Sequence, residues 1–256
     1  MSFSAQVRYE GKKNNKKVTD NKNNTTTLRP GCNTARVGLF GGTFNPVHLG
    51  HMEIARDVKR AFNLDKVLVV PSATPPHKKV EGIVGAKDRL EMVKMCFGGL
   101  DGFEVSDIEL KRNGPSYTID SVNDILSRQT EGTDLFLIIG TDAFFEIHTW
   151  RKYNDLLDSV KLIIMTRPGD QMESSQQKKN LAGGYISEKI TSGYHWDAEQ
   201  ECFNHLTKKS LYFFNVTQLD ISSTRIRQYI KDMSCAASSL LNNEVADYIT
   251  KKGLYK

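Results

Sequence analysis

Residues 37–51 read VGLFGGTFNPVHLGH. The apolar run VGLF (37–40) has the length of a buried strand and stops at Gly41 and Gly42. Two glycines let the backbone turn tightly and approach a ligand with no Cβ in the way. Asn45-Pro46 then suits a helix start, since Asn can cap and Pro has no N–H to lose. The stretch LGHMEIARDVKRAF (49–62) carries Met52, Ile54, Ala55, Val58, Ala61 and Phe62 at helical spacing. A strand, a glycine turn and a helix N-terminus place free N–H groups and a helix dipole where an anion can sit. His48 and His51 fall in or beside the first helical turn, on one face.

Other readings of these residues exist. A glycine pair after a strand is often only a turn, and two histidines at this spacing can be surface residues or a metal pair. The combination favours phosphate, and no acid or cysteine lies close enough in sequence to complete a metal site. Two common nucleotide loops, GxxxxGK[ST] and GxGxxG, are absent.

The pattern continues outward. KVLVVP (66–71), DLFLIIG (134–140), KLIIMT (161–166) and LYFFNV (211–216) read as strands, and FEVSDIEL (103–110) as an edge strand. KDRLEMVKMCF (87–97), YTIDSVNDIL (117–126), WRKYNDLL (150–157), STRIRQYIKDM (223–233) and EVADYITKKGL (244–254) read as helices. Strand and helix alternate, and the strands are apolar at successive positions, so both faces need cover. The expectation is an α/β fold: a Rossmann-like parallel sheet with helices on both faces and the C-terminal helices on the same domain. Residues 170–205 are polar and irregular, and we read them as a loop-rich insertion with some helix.

The chain has 256 residues and a formal charge of +5. Residues 1–34 hold seven Lys or Arg against two acids, which equals that whole excess. A basic body that binds nucleic acid is therefore not indicated. The same segment is rich in Lys, Asn and Thr and poor in large apolar side chains, so we expect a disordered extension ahead of a single domain over 35–256. Its Lys/Asn bias departs from the Arg/Ser-rich pattern of organellar transit peptides, so the cytoplasm is the expected compartment, with import left open. No apolar run approaches the ~20 residues that span a bilayer. The four cysteines show no metal or redox spacing and are expected as free thiols.

Further constellations lie after other strands. Ile221-Ser222-Ser223-Thr224 and Arg227 can form a second phosphate cradle: a serine N-cap, hydroxyls, free N–H groups and a guanidinium. An ordinary capped helix is the alternative. Lys78 follows a double proline and can reach phosphate or stay solvated. Gly140 and Asp142 follow the 134–140 strand, where a carboxylate suits a ribose or a helix cap. Arg167 can hold phosphate or a surface ion pair. Trp150 and Tyr117 also fit a core.

GGTFNPVHLGH resembles the H-x-G-H signature of the nucleotidyltransferase superfamily. VVPSATPPHKK (69–79), GPSYTIDSV (114–122), IIGTDAFFEIHTW (138–150), TRPG (166–169), ISSTRIR (221–227) and VADYITKKGLY (245–255) follow in order. Together they resemble the bacterial-type nicotinate mononucleotide adenylyltransferases. One departure is Asn45, where that family often has Asp; both can cap.

The resemblance implies transfer of an adenylyl group from ATP to nicotinate mononucleotide. It implies ATP binding by Gly41, Gly42, Thr43, Phe44, Asn45, His48, His51, Gly140, Asp142, Ile221, Ser222, Ser223, Thr224 and Arg227. His48, His51 and Arg227 would carry the catalysis. Lys78, Tyr117, Thr118, Trp150, Arg151 and Arg167 would hold the mononucleotide. Mg²⁺ would arrive with ATP and need no protein ligand, and a homodimer is the first expectation. The alternatives are nicotinamide mononucleotide as substrate, another nucleotidyltransferase reaction, or a non-catalytic nucleotide-binding regulator. A hydride-transferring dehydrogenase is disfavoured without GxGxxG.

Overall fold

A computed structural model describes residues 34–73, 82–112, 114–166, 172, 174–216 and 221–256. Its eight strands are β1 (Arg36–Gly42), β2 (Lys66–Pro71), β3 (Phe103–Val105), β4 (Asp134–Gly140), β5 (Lys161–Thr166), β6 (His195–Asp197), β7 (Cys202–Asn204) and β8 (Leu211–Asn215). Its α-helices are α1 (Leu49–Ala61), α2 (Ala86–Phe97), α3 (Thr118–Leu126), α4 (Thr141–Phe145), α5 (Tyr153–Ser159), α6 (Ser175–Tyr185), α7 (Ser223–Lys231) and α8 (Asn243–Lys252).

The strands form one sheet in the order β3-β2-β1-β4-β5-β8-β7-β6. Pairing is parallel from β3 to β8, because each connection within that run crosses over through helix. Side chains alternate between two buried layers. Leu39, Val70, Leu137 and Ile164 face one core with Ile119, Val122 and Leu156. Phe40, Val69, Ile138 and Ile163 face the other with Val58, Val93, Ile226 and Ile249. Helices cover both faces, as the unbroken apolar strands require.

The structure corrects several expectations. The sheet is not wholly parallel: β7 pairs antiparallel with β8 on one side and with β6 on the other. Both come from 170–205, which also holds α6 and a π-helical turn at Ile186–Ile190. That segment has only short local periods, too brief to read as strands. The 103–110 strand stops at Val105. The 150–157 helix starts at Tyr153, after Lys152 in a left-handed conformation, which leaves Trp150 and Arg151 in a loop.

The chain leaves β1 toward β2 and β3 on one side and returns to β4 on the other. The reversal lies between β1 and β4, and ligands of such sheets bind outside the carboxyl ends of the strands at that point. Gly41, Gly42 and Gly140 are at those ends.

Gly38 shows how tightly β1 is packed from behind. A Cβ there would lie 2.8 Å from Leu64 Cδ1, 3.1 Å from Ile138 Cδ1 and 3.3 Å from Val67 Cγ2. All three atoms belong to buried side chains, so Gly38→Ala overpacks the layer. It is expected to lower unfolding free energy by about 1–3 kcal/mol, read from urea denaturation; an unchanged midpoint would show that the layer yields freely.

Candidate active site

Between Gly42 and α1 the chain makes no regular structure, and its course is set by side chains. Phe44 takes a positive φ of 48° and is buried. A Cβ on Gly42 would lie 2.9 Å from the Phe44 ring, which explains glycine there. The Asn45–Pro46 bond is cis.

Asn45 does not cap α1, contrary to the expectation from sequence. The N-cap is His48. Asn45 is 6% exposed. Its Oδ1 accepts from the Val84 backbone N–H at 3.1 Å and from the Tyr255 hydroxyl at 3.0 Å. Its Nδ2 donates to the Gly82 carbonyl at 2.9 Å. The Val84 N–H can only donate, so it fixes which end of the amide is oxygen. The amide then serves as donor and acceptor at once, which a carboxylate cannot do.

His48 is 5% exposed, and its ring stacks on that of His51, with centroids 3.7 Å apart. The His48 backbone N–H donates to His51 Nδ1 at 3.3 Å. That bond makes Nδ1 of His51 an acceptor. A side chain on Gly50 would collide with His48, its Cβ lying 3.0 Å from Nδ1.

The second cradle is brought against the first. Ser222 caps α7, its Oγ accepting from the Arg225 N–H at 3.2 Å. Ser223 Oγ donates to the Pro46 carbonyl at 2.9 Å. Arg227 Nη1 donates to the Asn45 carbonyl at 2.8 Å, and Nη2 donates to Thr224 Oγ1 at 3.2 Å. Ile221 lies beside Gly50. The N-termini of α1 and α7 thus share one corner, with two sets of N–H groups, two imidazoles and a guanidinium.

A cavity of about 200 Å³ adjoins this corner. Gly41, Gly42 and Thr43 line one part, and Tyr117, Thr118, Trp150 and Arg151 line another. The Arg151 guanidinium lies over the Tyr117 ring, 4.7 Å from its centroid. Gly140 and Asp142 sit apart from it: Gly140 is the N-cap position of α4 and Asp142 lies in that helix's first turn. Lys78 and Arg167 lie outside the described residues.

Sequence reasoning passed over three side chains. Arg89 is 1% exposed and donates to the carbonyls of Thr43, Ala73 and Val84 at 2.8, 2.9 and 3.1 Å. It joins the phosphate loop to the segments that follow β2. The helical spacing of 89, 92, 93, 96 and 97 puts this arginine on the apolar face of α2, a readable sign. Glu109 is 9% exposed and also lines the cavity. Tyr255, next to the last residue, reaches back to Asn45.

Burial raises the Tyr255 hydroxyl well above its usual value, with Arg227 and Arg89 acting the other way. A raised tyrosine contributes stability below its unfolded value of about pH 10, and that contribution falls away as pH climbs through the folded value. Tyr255→Phe is therefore expected to cost about 0.5–1.5 kcal/mol near pH 8. The gap to wild type should narrow by pH 11, in urea melts at both pH values.

The chain is similar to several known proteins. The cytidylyltransferase-like family model matches residues 39–229. A relative from Desulfatibacillum aliphaticivorans, named "Probable nicotinate-nucleotide adenylyltransferase", is 39% identical over 223 residues, 86% of this chain and 99% of the relative. One of the same name from Citrifermentans bemidjiense is 36% identical over 220 residues, 86% of this chain and 98% of its own. Among solved structures, the Plasmodium falciparum nicotinic acid mononucleotide adenylyltransferase complexed with NaAD shares the fold, with a TM-score of 0.62 at 15% identity, covering 86% of this chain and 97% of that one. With such identity along nearly the full length of its relatives, this chain belongs to the nicotinate-nucleotide adenylyltransferases of the cytidylyltransferase-like family.

Proposed function

We propose that the chain joins ATP and nicotinate mononucleotide to give deamido-NAD and pyrophosphate. The observation that carries this reading is the shared corner of α1 and α7 beside the ring-sized cavity. One ligand that is anionic at the corner and aromatic in the cavity satisfies both.

A 5′-phosphate oxygen of the mononucleotide attacks the α-phosphorus of ATP in line. The new P–O bond forms as the bond to pyrophosphate breaks, and pyrophosphate leaves with that electron pair. The nucleophile is already anionic near neutrality, since a phosphate monoester has its second pKa at about 6. No general base is needed, and catalysis reduces to holding two anions together and stabilising developing charge.

The loop 41–45 supports the ATP phosphates, and the His48 and His51 imidazoles meet the α-phosphate. The free N–H groups of α7, with Ser222, Ser223 and Thr224, suit the β- and γ-phosphates. Arg227 stands where it can meet departing pyrophosphate while still tied to the loop. Asp142, with Gly140, suits the ATP ribose. Trp150 and Tyr117 offer aromatic faces to the pyridine ring, and Thr118 lies beside them.

No cluster of three or more His, Cys, Asp or Glu side chains suited to a metal occurs among the described residues. The corner's donors are N–H groups and hydroxyls, which suit phosphate oxygens. A magnesium ion carried by the triphosphate and water fits such a corner and supplies charge neutralisation.

His48→Ala and His51→Ala are each expected to lower kcat about 100- to 1,000-fold, with KM for either substrate changed far less. Near-normal turnover in both would remove the histidines from the reaction.

Pyrophosphate release with either mononucleotide tests the whole reading, and the acid is expected to be preferred over the amide. Donors that meet a carboxylate leave an amide NH₂ facing another donor, at a cost of roughly 1–3 kcal/mol. Stacking meets a flat ring in both cases, so Trp150→Ala should weaken both substrates and leave their ratio nearly unchanged. A wild-type preference for the amide would reverse the choice of substrate, and no turnover with either would reject the reaction.

A further inference from the structure

The cavity beside Trp150 contains a charge that the reaction as described does not use. Among the described residues lining it, two are charged, Glu109 and Arg151. Arg151 is exposed at the rim and stacked on Tyr117. Glu109 is buried, at 9% exposure.

The Glu109 carboxylate is half satisfied. Oε1 accepts from the Ser121 hydroxyl at 2.9 Å. Oε2 is closed off from water and has no hydrogen-bond partner among the described residues. Two guanidiniums are near enough to matter, and neither bonds to it directly. Arg112 spends Nε and Nη2 on Asp124 and Nη1 on Ser121. Arg89, which feels the Glu109 charge, gives its donors to three backbone carbonyls. Ser72, whose Oγ also lacks a partner, lines the same cavity. A buried carboxylate without a direct ion pair is costly in an empty site, and that cost falls when a cation comes close.

We infer that Glu109 is a specificity residue that reads the fixed positive charge of a pyridinium ring. This rests on the reaction proposed above. The ring nitrogen of a pyridine mononucleotide is quaternary, so it carries a charge and has no proton to donate. It can be recognised through space by a negative charge buried in the cavity wall, where screening is weaker than in water. The carboxylate also distinguishes this ring from a neutral aromatic of the same shape, which Trp150 stacking cannot do.

The probe is the 3-carboxyphenyl C-riboside 5′-phosphate, which keeps the shape and carboxylate of nicotinate mononucleotide and lacks the ring charge. Pyrophosphate release is followed with both compounds in wild type, Glu109→Gln and Glu109→Asp. Wild type is expected to favour the pyridinium compound in kcat/KM by about tenfold or more, the scale of one partly screened charge contact. Glu109→Gln should bring that ratio within about threefold of unity and leave KM for ATP unchanged, with a Tm no lower than wild type because a buried charge has gone. Glu109→Asp, which keeps the charge, should retain part of the ratio.

A wild-type ratio near one overturns the inference by itself, even if Glu109→Gln fails to fold. So does a Glu109→Gln enzyme that keeps the wild-type ratio, whatever its Tm. Absence of turnover with nicotinate and nicotinamide mononucleotides in wild type is the different result that rejects the reaction.

Discussion

One buried side-chain amide holds the loop between β1 and α1 in place. The segment from Thr43 to Pro46 has no strand or helix partner of its own, yet Asn45 is almost wholly buried. Buried polar groups must find partners, and here they come from distant parts of the chain. Gly82, Val84 and Tyr255 meet the Asn45 side chain, and Arg227 meets its carbonyl. The loop is thereby over-determined, its side chains locked by packing and hydrogen bonds.

Arg89 extends the same logic. Its guanidinium is buried and lowered in pKa by desolvation, yet it is bonded to carbonyls rather than to a carboxylate. A planar fork with five donors can satisfy three segments at once, and lysine cannot reproduce that geometry. Through it, Thr43 after β1 and Ala73 after β2 are tied to one guanidinium. Ala73 in turn donates its N–H to Ser116, next to Tyr117 in the cavity wall. The corner of α1 and α7 and the cavity are joined by this path of hydrogen bonds rather than by one continuous element. The end of the chain belongs to the site as well: Gly253 closes α8 in a left-handed turn and directs Tyr255 inward.

Much of the architecture was legible because it depends on local order. Apolar runs in β1, β2, β4 and β5, separated by amphipathic helices, admit few arrangements other than a parallel sheet covered on both faces. The α1 start was legible to within a residue, and its capping residue was not. Asn and His can both stand at a helix entrance, and the choice depended on a carbonyl, an N–H and a hydroxyl contributed from 37, 39 and 210 residues away. The strands β6 and β7 were hidden for a related reason. Each is three residues long, and such strands exist only because β8 offers β7 an edge and β7 offers one to β6.

By itself, the sequence determined the layered α/β fold, the glycine turn at the carboxyl end of β1, and the two helix starts rich in N–H and hydroxyl donors. These follow from periodicity and from the conformational limits of single residues, which act over a few positions. Tertiary structure alone decided that the two helix starts meet, that His51 accepts through Nδ1, that Asn45 became a clamp, and that Glu109 lines the cavity with one buried oxygen unpaired among the described residues. Those outcomes depend on burial and on partners remote in sequence. A polar side chain's role is set by which donors and acceptors reach it after water is excluded, and no local pattern specifies that.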